Sequence, residues 1–302
     1  MDICIIKLSR LINYKKFGII YKIRTYWRKM MECKIKNISI NYEIIGEGKS
    51  IIMLHGYYVD HRLMTGCMEP VFSSKVGFRR IYIDLPGMGK SESAEWINNS
   101  DIILDIVIEF IEKIIPNENF LLAGQSYGGY LARGVVNKMA DRIDGMLLIC
   151  PAIIADFNKR SVPDHVVIVK DNSLLTKITP EEAEDFDSGL VVQSEKIYER
   201  YIDEIMSGVR IADSEFLQKL QNKGYAFSFN VDKLNNKFDK PVLMLLGKQD
   251  DCVGYKDAWD ILENFPRATF AVLDRAGHNL HIEQSELFNP LIREWLRRVN
   301  EF

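Results

Sequence analysis

The stretch Phe120-Leu-Leu-Ala-Gly124-Gln125-Ser126-Tyr127-Gly128-Gly129 decides the fold of this chain. Its first residues are apolar and predict a short strand, and the Gly-x-Ser-x-Gly pattern that follows predicts a sharp turn. Residues 127–140 then continue with apolar side chains at helical spacing. A nucleophile elbow needs this strand, turn and helix, and Gly124 and Gly128 allow the backbone to pass closely. We therefore predict that Ser126 is a catalytic nucleophile; the alternative is a serine that only caps the helix.

Length and composition limit the classes of protein that this chain can represent. Its 302 residues suffice for one large α/β domain, or for a core with an insertion. The net charge of −3 gives no overall basic footprint, so we expect no nucleic-acid partner. Five scattered cysteines, without a Cys-x-x-Cys pair or close Cys/His spacing, predict free thiols in a reducing cytosol and no zinc site. We therefore expect a cytoplasmic protein that uses no metal ion and no cofactor.

The first 30 residues differ in charge from the rest of the chain. They carry eight Lys and Arg residues and one Asp, a net charge of +7, which leaves −10 for the remainder. No apolar run in this segment is long enough for a membrane span or for the core of a signal peptide. We predict an extension outside the fold over residues 1–31, with the folded domain beginning at Glu32. The less favoured alternative is a basic arm, residues 1–30, that touches an anionic membrane surface.

Strand and helix patterns alternate along the chain after Lys34. Apolar strands are predicted at 38–45, 51–54, 81–83, 120–123, 146–150, 242–246 and 269–273, with helical stretches between several of them. Such alternation is typical of an α/β fold with a doubly wound, mostly parallel sheet.

Residues 152–239 interrupt this alternation. The segment is polar, acidic and helix-rich, and 166–169 is its one strand-like run. A long segment of this kind between two core strands predicts an inserted helical cap domain; the alternative is a set of further core helices. The predicted α/β core then consists of residues 32–151 and 240–302.

Ser126 needs a base, because a hydroxyl group is a weak nucleophile at neutral pH. His278 is the candidate, since it follows the last predicted strand, at the sheet edge where α/β proteins place active groups. Gly277 before it lets the backbone turn close to the site. His281 is the competitor, but its position fits the start of the last helix better.

The base needs a carboxylate that fixes its tautomer and stabilises the imidazolium. Asp250 lies in the loop after the strand predicted at 242–246, and we favour it on that position. Its neighbour Asp251 is the less favoured choice. Either aspartate could instead cap the helix that follows.

A developing oxyanion needs two N–H donors. We predict the backbone N–H of Tyr127, the residue after the nucleophile, as one of them. The second is expected from the loop after Leu54-His55-Gly56, with the N–H of Tyr57 favoured over that of Tyr58. His55 is interpreted as a structural residue that shapes this loop rather than as a second base.

These motifs together resemble the α/β-hydrolase fold family. The matching pieces run in the family's order through residues 34–302 and are Leu54-His55-Gly56-Tyr57, Asp84-Leu-Pro-Gly87-Met-Gly89-Lys-Ser91, the Ser126 elbow, Gly247-Lys-Gln-Asp250 and Ala276-Gly277-His278. The resemblance is greatest to capped members such as proline iminopeptidase-like enzymes and meta-cleavage C–C hydrolases. It does not extend to haloalkane dehalogenases or epoxide hydrolases, whose nucleophile is an aspartate.

The resemblance implies a serine hydrolase with Ser126, Asp250 and His278 as its triad. It implies a small-molecule substrate with an ester, amide or related carbonyl group. A meta-cleavage C–C hydrolase and a proline iminopeptidase-like aminopeptidase are the alternative enzymes. A small-molecule receptor on the same fold is the alternative without catalysis.

Overall fold

The structure is a computed structural model that describes residues 28–301. Most of the predicted extension, residues 1–31, and of the predicted basic arm, residues 1–30, lies outside the described residues. The first strand begins at Arg28, so the fold starts before Glu32, where the sequence predicts the domain to begin. Within the described part, no helix is long and apolar enough to cross a membrane.

Eight strands form one sheet. They are β1 Arg28–Ile35, β2 Ile38–Ile45, β3 Lys49–Leu54, β4 Phe78–Ile83, β5 Phe120–Gln125, β6 Ile143–Ile149, β7 Val242–Gly247 and β8 Ala268–Leu273. Their order across the sheet is β1-β2-β4-β3-β5-β6-β7-β8. The pairs β1–β2 and β2–β4 are antiparallel, and every other neighbouring pair is parallel. The predicted α/β fold with a mostly parallel, doubly wound sheet is confirmed.

Helices cover both faces of this sheet. They are α1 His61–Phe72, α2 Ser100–Ile114, α3 Tyr127–Met139, α4 Asn172–Leu175, α5 Pro180–Gly189, α6 Glu195–Tyr201, α7 Ser207–Val209, α8 Ser214–Lys223, α9 Lys256–Asp260, α10 Leu280–Glu283 and α11 Ser285–Arg298. Every residue of β5 and of β7 is buried, because helices on both faces exclude water from the central strands. This burial explains why the central strands are continuous apolar runs in the sequence.

Residues 152–239, here called the inserted region, separate β6 from β7. The chain between these two strands holds the five helices α4 to α8 and adds no strand to the sheet. The strand-like run at 166–169 forms one isolated bridge, from Val169 to Val192. The assignment of this region to a separate cap domain stays a prediction.

Arg133 of α3 holds the two ends of the inserted region together. Its Nη1 lies 2.7 Å from both carboxylate oxygens of Asp232. Its Nη2 donates to the carbonyl oxygens of Ala152 and Ile153, at 3.0 Å each. The Arg133 side chain is buried, so this charged pair is shielded from solvent and held by several hydrogen bonds. The segments that enter and leave the inserted region are therefore both fixed to the same core helix.

The crossing of β5 and α3 depends on two glycines. A Cβ on Gly124 would lie 2.3 Å from the carbonyl oxygen of Gly128, and one on Gly128 would lie 2.2 Å from that of Leu54. Both distances are shorter than any carbon–oxygen contact that proteins tolerate, and the opposing atoms are backbone atoms that cannot rotate away. The glycine spacing therefore sets how closely the helix approaches β3 and β5.

We expect Gly128→Ala to destabilise the fold by about 3 kcal/mol or more, because the added methyl group must displace the backbone of β3. Urea unfolding followed by circular dichroism measures this loss. Gly189→Ala is the matched control, since its Cβ would meet nothing closer than the Tyr201 hydroxyl oxygen at 3.4 Å. Equal unfolding free energies for the two variants would contradict the packing argument.

Candidate active site

Ser126 lies at the turn between β5 and α3 in a backbone conformation that non-glycine residues rarely adopt, with φ +53° and ψ −115°. Its side chain makes no capping hydrogen bond to α3, unlike the side chain expected of a serine that caps a helix. Its backbone is firmly held instead: its N–H donates to Ile149, and its carbonyl oxygen accepts from Gly129, Tyr130 and Ala152. The strained turn thus presents the hydroxyl group away from the helix.

His278 and Asp250 form a hydrogen-bonded pair. His278 Nδ1 lies 2.9 Å from Oδ2 of Asp250, and the carboxylate is fully buried. The other carboxylate oxygen, Oδ1, accepts the N–H groups of Cys252 at 3.0 Å and Val253 at 2.9 Å. These bonds fix the carboxylate in the loop after β7, and the carboxylate in turn fixes the imidazole with its Nδ1 protonated.

The two groups shift each other's pKa in opposite directions. Burial by itself raises the pKa of Asp250, but the charge and hydrogen bond of His278 outweigh it and hold that pKa below its usual value. Burial by itself lowers the pKa of His278, but the charge and hydrogen bond of Asp250 outweigh it and raise that pKa above its usual value. The pair therefore favours a positively charged His278 beside a carboxylate.

The competing aspartate and histidine lie elsewhere. Asp251 accepts from Nδ1 of His165 at 2.9 Å on the surface and does not reach His278. His281 is fully buried in α10, and neither of its ring nitrogens has a hydrogen-bond partner among the described residues. Burial and the nearby Arg200 hold the pKa of His281 well below its usual value. The structure thus brings Asp250, and not Asp251, to His278.

The loop after β3 runs against the serine. A Cβ on Gly56 would lie 3.2 Å from Cβ of Ser126, so the backbone that leads to Tyr57 passes directly beside the hydroxyl group. His55 is fully buried and holds this loop: its Nδ1 lies 2.7 Å from the Gly56 carbonyl oxygen, and its Nε2 accepts the N–H of Leu85 at 3.0 Å. These contacts match the structural role predicted for His55.

The other predicted donor, Tyr127, begins α3. The first N–H groups of a helix have no partner within it and point outward at its positive end. The Tyr127 side chain points away from solvent and shares a 2.7 Å hydrogen bond with the hydroxyl group of Ser100. Its ring also packs edge-on against that of Tyr57, with centroids 5.0 Å apart. Tyr57 and Tyr127 are therefore fixed next to each other on either side of Ser126.

A cavity of about 770 Å³ opens in front of Ser126 and His278. Aromatic side chains form part of its wall, and the inserted region supplies most of the remainder. Its lining comprises Tyr57, Tyr58, Ser126, Ala155, Asp156, Phe157, Asn158, Arg160, Gln221, Asn222, Lys223, Gly224, Tyr225, Ala226, Cys252 and His278. A cavity of this size, with aromatic walls and a few polar groups, suits a small organic molecule.

Arg160 is the cavity residue that joins the inserted region to the loop of Asp250. Its guanidinium group donates to the carbonyl oxygens of Ile154 at 2.8 Å, Ala155 at 3.3 Å and Cys252 at 2.9 Å. No carboxylate among residues 28–301 forms an ion pair with it. The guanidinium group also lies over the Phe157 ring, 5.5 Å from its centroid, and its charge acts on the Asp156 carboxylate and the Tyr225 hydroxyl group of the same cavity.

The sequence analysis missed Gln125, which contacts His278 from the side opposite Asp250. Its Nε2 lies 3.3 Å from Nε2 of His278, and the side chain is only 2% exposed. Its Oε1 lies 2.2 Å from where a Cβ of Gly56 would stand, so the amide also packs against the loop of Tyr57. Gln125 is the first variable position of the Gly-x-Ser-x-Gly pattern. Because the pattern accepts any residue there, it does not indicate a role for Gln125.

Two groups of side chains bring possible metal ligands within 4.8 Å of one another. They are Cys150, Asp250 and His278, and Asp60, His61 and Asp84. In the first, burial holds the pKa of the Cys150 thiol well above its usual value, so the thiolate that a metal needs is disfavoured. In the second, the Asp84 carboxylate already accepts hydrogen bonds from Asn41, His61 and the N–H of Lys90. Both groups use their donors within the protein, and we assign neither to a metal.

Comparison with known proteins places this arrangement in a family. A sequence model of the alpha/beta hydrolase fold matches residues 49–285. This chain belongs to the alpha/beta hydrolase fold family. The resemblance drawn from the motifs is therefore confirmed.

Three relatives of this alpha/beta hydrolase illustrate the likeness. An alpha/beta superfamily hydrolase from Oenococcus oeni PSU-1 has a crystal structure with a TM-score of 0.81 and 34% identity, covering 90% of this chain and 100% of that one. A monoacylglycerol lipase of Xenopus laevis is 25% identical over 90% of this chain and 84% of its own length. A 2-hydroxy-6-oxononadienedioate/2-hydroxy-6-oxononatrienedioate hydrolase of Comamonas testosteroni is 23% identical over 87% and 92%.

We expect Gln125→Met to slow any reaction at this site by roughly tenfold, because the Gln125 amide packs against the Gly56 loop that leads to Tyr57, and the bulkier methionine end would push this loop away from Ser126. Steady-state kinetics should show the loss in kcat, since Gln125 does not line the cavity. Gln218→Met is the control, because Gln218 is exposed on α8 and does not line the cavity. An unchanged kcat in Gln125→Met would show that Gln125 does not contribute to the reaction.

Proposed function

We propose that this protein is a serine hydrolase of small carbonyl compounds, with carboxylic esters as the first substrate class to test. One observation carries the proposal: Ser126 and His278 line the same cavity, and His278 is held from behind by the buried carboxylate of Asp250. A serine, a histidine and a buried acid are the side chains that a nucleophilic triad needs, and the shared cavity supports this assignment.

In the proposed reaction, Ser126 Oγ attacks the substrate carbonyl carbon while His278 Nε2 takes the hydroxyl proton. Asp250 keeps the Nδ1 proton in place and stabilises the imidazolium that forms. The protonated His278 then gives its proton to the leaving oxygen, and the C–O bond breaks to leave an acyl group on Ser126. Water, deprotonated by His278, attacks this acyl-enzyme and releases the acid product.

The negative charge that develops on the carbonyl oxygen needs N–H donors. We propose the backbone N–H groups of Tyr57 and Tyr127 for this role. Two observations support them: the loop of Tyr57 passes beside Ser126, and Tyr127 is the first residue of α3, where the helix dipole favours negative charge.

We propose that the inserted region acts as a cap that shapes the substrate cavity. Most of the cavity lining comes from this region, from residues 155–158, 160 and 221–226. Aromatic rings at Tyr57 and Tyr225 suit an apolar acyl or alcohol group.

An ester substrate agrees with the lipase among the relatives, and cleavage of a carbon–carbon bond agrees with the dienedioate hydrolase. Both reactions would use the same Ser126 and His278 in their first step, so only the measured turnover of each type of substrate distinguishes them. A panel of p-nitrophenyl esters, amino-acid amides and dienoate C–C substrates separates the ester, aminopeptidase and C–C alternatives. Saturable binding without turnover on the whole panel would favour the receptor alternative.

We expect a fluorophosphonate probe to label the protein covalently at Ser126, because the activated hydroxyl group attacks phosphorus as it attacks a carbonyl carbon. Peptide mass spectrometry identifies the labelled residue. Ser126→Ala should not label, whereas Ser91→Ala, which changes a serine outside the cavity, should label like the native protein. Absence of label on Ser126 in the native protein would refute the proposed function.

Activity should rise with pH as His278 loses its proton, since only the neutral imidazole accepts the proton of Ser126. Because Asp250 raises the pKa of His278, this rise should lie above the usual value of 6.5. Asp250→Asn should lower kcat by about four orders of magnitude and move the rise to lower pH. A pH–rate profile of kcat/KM for both proteins tests the shift. Asp251→Asn is the control and should move the profile much less, since the charge of Asp251 has a smaller effect on the pKa of His278 than that of Asp250.

A further inference from the structure

A buried carboxyl group joins the loop of His278 to the inserted region. Glu283, at the end of α10, is 7% exposed. Its Oε2 accepts the N–H of Gly277 at 2.6 Å. Its Oε1 accepts the N–H of Val191 at 2.6 Å and that of Val192 at 3.3 Å. Gly277 directly precedes His278, so one carboxyl group bonds both the histidine loop and a segment of the inserted region.

A second contact fixes the same two segments on the other side of His278. The Asn279 side-chain amide donates to the carbonyl oxygen of Gly189 at 3.1 Å. Side chains are packed closely here as well, because a Cβ on Gly277 would lie 2.7 Å from Cγ2 of Val191. The residues on both sides of His278 are thus bonded to residues 189–192.

We propose that Glu283 is a positioning residue that ties the His278 loop to Val191 and Val192 of the inserted region, so that movement of this region is transmitted to His278. This inference rests on the proposed function for its effect on activity. The tie itself does not, since it consists of hydrogen bonds that can be measured in an inactive protein.

Whether the Glu283 carboxyl group is ionised affects how strongly it holds the two segments together. Burial raises the pKa of Glu283 to about 7, the three N–H groups act in the opposite direction, and the charge of Asp250 raises it further. No Lys, Arg or His side chain within residues 28–301 forms an ion pair with it. The tied state therefore disfavours the ionised carboxylate relative to any state in which water reaches Glu283. By linkage, the tie should weaken as pH rises from 4.5, the usual pKa of a glutamate, to about 7, and should change no further above that.

Several other ionisable groups surround this carboxyl group. A cavity of about 250 Å³ beside it is lined by cationic groups of α6 and of the histidine loop and by one acid of α11. The neighbouring ionisable residues are Lys196, Arg200, Arg275 and Glu286 around that cavity, Asp250 and Cys150 behind it, and His278 and His281 on the same loop and helix. Arg200 is paired with Glu204 at 2.6 Å, which limits its effect on Glu283.

The test uses the full chain carrying Ser126→Ala, which removes turnover from the measurement. Hydrogen–deuterium exchange by mass spectrometry follows peptides that cover 189–193 and 275–279, with rates corrected for the intrinsic effect of pH. Glu283→Gln keeps the size of the side chain, but its NH₂ group cannot accept an N–H, so one of the two segments loses its acceptor. Glu286→Gln, the same change at an exposed neighbouring residue, is the matched control.

We expect Glu283→Gln to speed exchange in one of the two segments by roughly tenfold, the value of one lost hydrogen bond to a charged or polar acceptor. Glu286→Gln should match the parent. With Glu283 present, exchange of both segments should speed up between about pH 4.5 and about pH 7 and level off above that, and with Gln this dependence should vanish. Unchanged exchange in Glu283→Gln, or the same pH dependence in both proteins, would overturn the tie.

Kinetics of the proteins that retain Ser126 then test the effect on His278. We expect Glu283→Gln to lower kcat and the rate of fluorophosphonate labelling by roughly tenfold, with KM nearly unchanged, because Glu283 does not line the substrate cavity. A rise in KM with unchanged kcat would overturn the positioning of His278. If the native protein shows neither turnover nor labelling, the proposed function fails, and the exchange result still decides whether Glu283 ties the two segments.

Discussion

The close crossing of β5, α3 and β3 is the constraint on which the candidate site depends. Gly124 and Gly128 leave no room for a Cβ, so the helix lies against the backbone of the neighbouring strands. This contact forces Ser126 into a turn with positive φ, a conformation whose strain the surrounding hydrogen bonds hold in place. The position of the hydroxyl group is therefore a property of the packed core and not of a flexible loop.

Electrostatics at the site follow from the same burial. Asp250 is removed from water, which by itself is unfavourable for a carboxylate, and two backbone N–H groups together with His278 offset that cost. A residue held in this manner cannot be exchanged with its neighbour Asp251, which lies on the surface beside His165. Adjacent positions in a loop thus provide very different chemistry, because one side chain points into the core and the other into solvent.

The fold and the positions of Ser126, His278 and Asp250 could be predicted from the sequence because each depends on a local pattern. A strand end, a glycine and a polar residue occur together within a few residues, and the sheet then gathers these ends at one edge. The roles assigned to those residues remain predictions.

Other features depend on contacts between distant segments, which no local pattern contains. Gln125 meets His278, and Glu283 meets Val191, only after the chain has folded. The sequence also predicts a later start of the folded domain, at Glu32, than Arg28, where β1 begins. The first residues of β1, Arg28 and Lys29, are basic, and charged residues at a sheet edge resemble an extension rather than a strand.

The hydrogen bonds of Arg133 have a consequence for how this protein could change during evolution. The inserted region leaves the core at Ala152 and returns near Asp232, and one guanidinium group of the elbow helix holds both points. Its boundaries are therefore clamped independently of what lies between them. A segment mounted in this manner can change in length between its ends while the serine turn stays in place, but a change at residues 189–192 would also reach the His278 loop through Glu283 and Asn279.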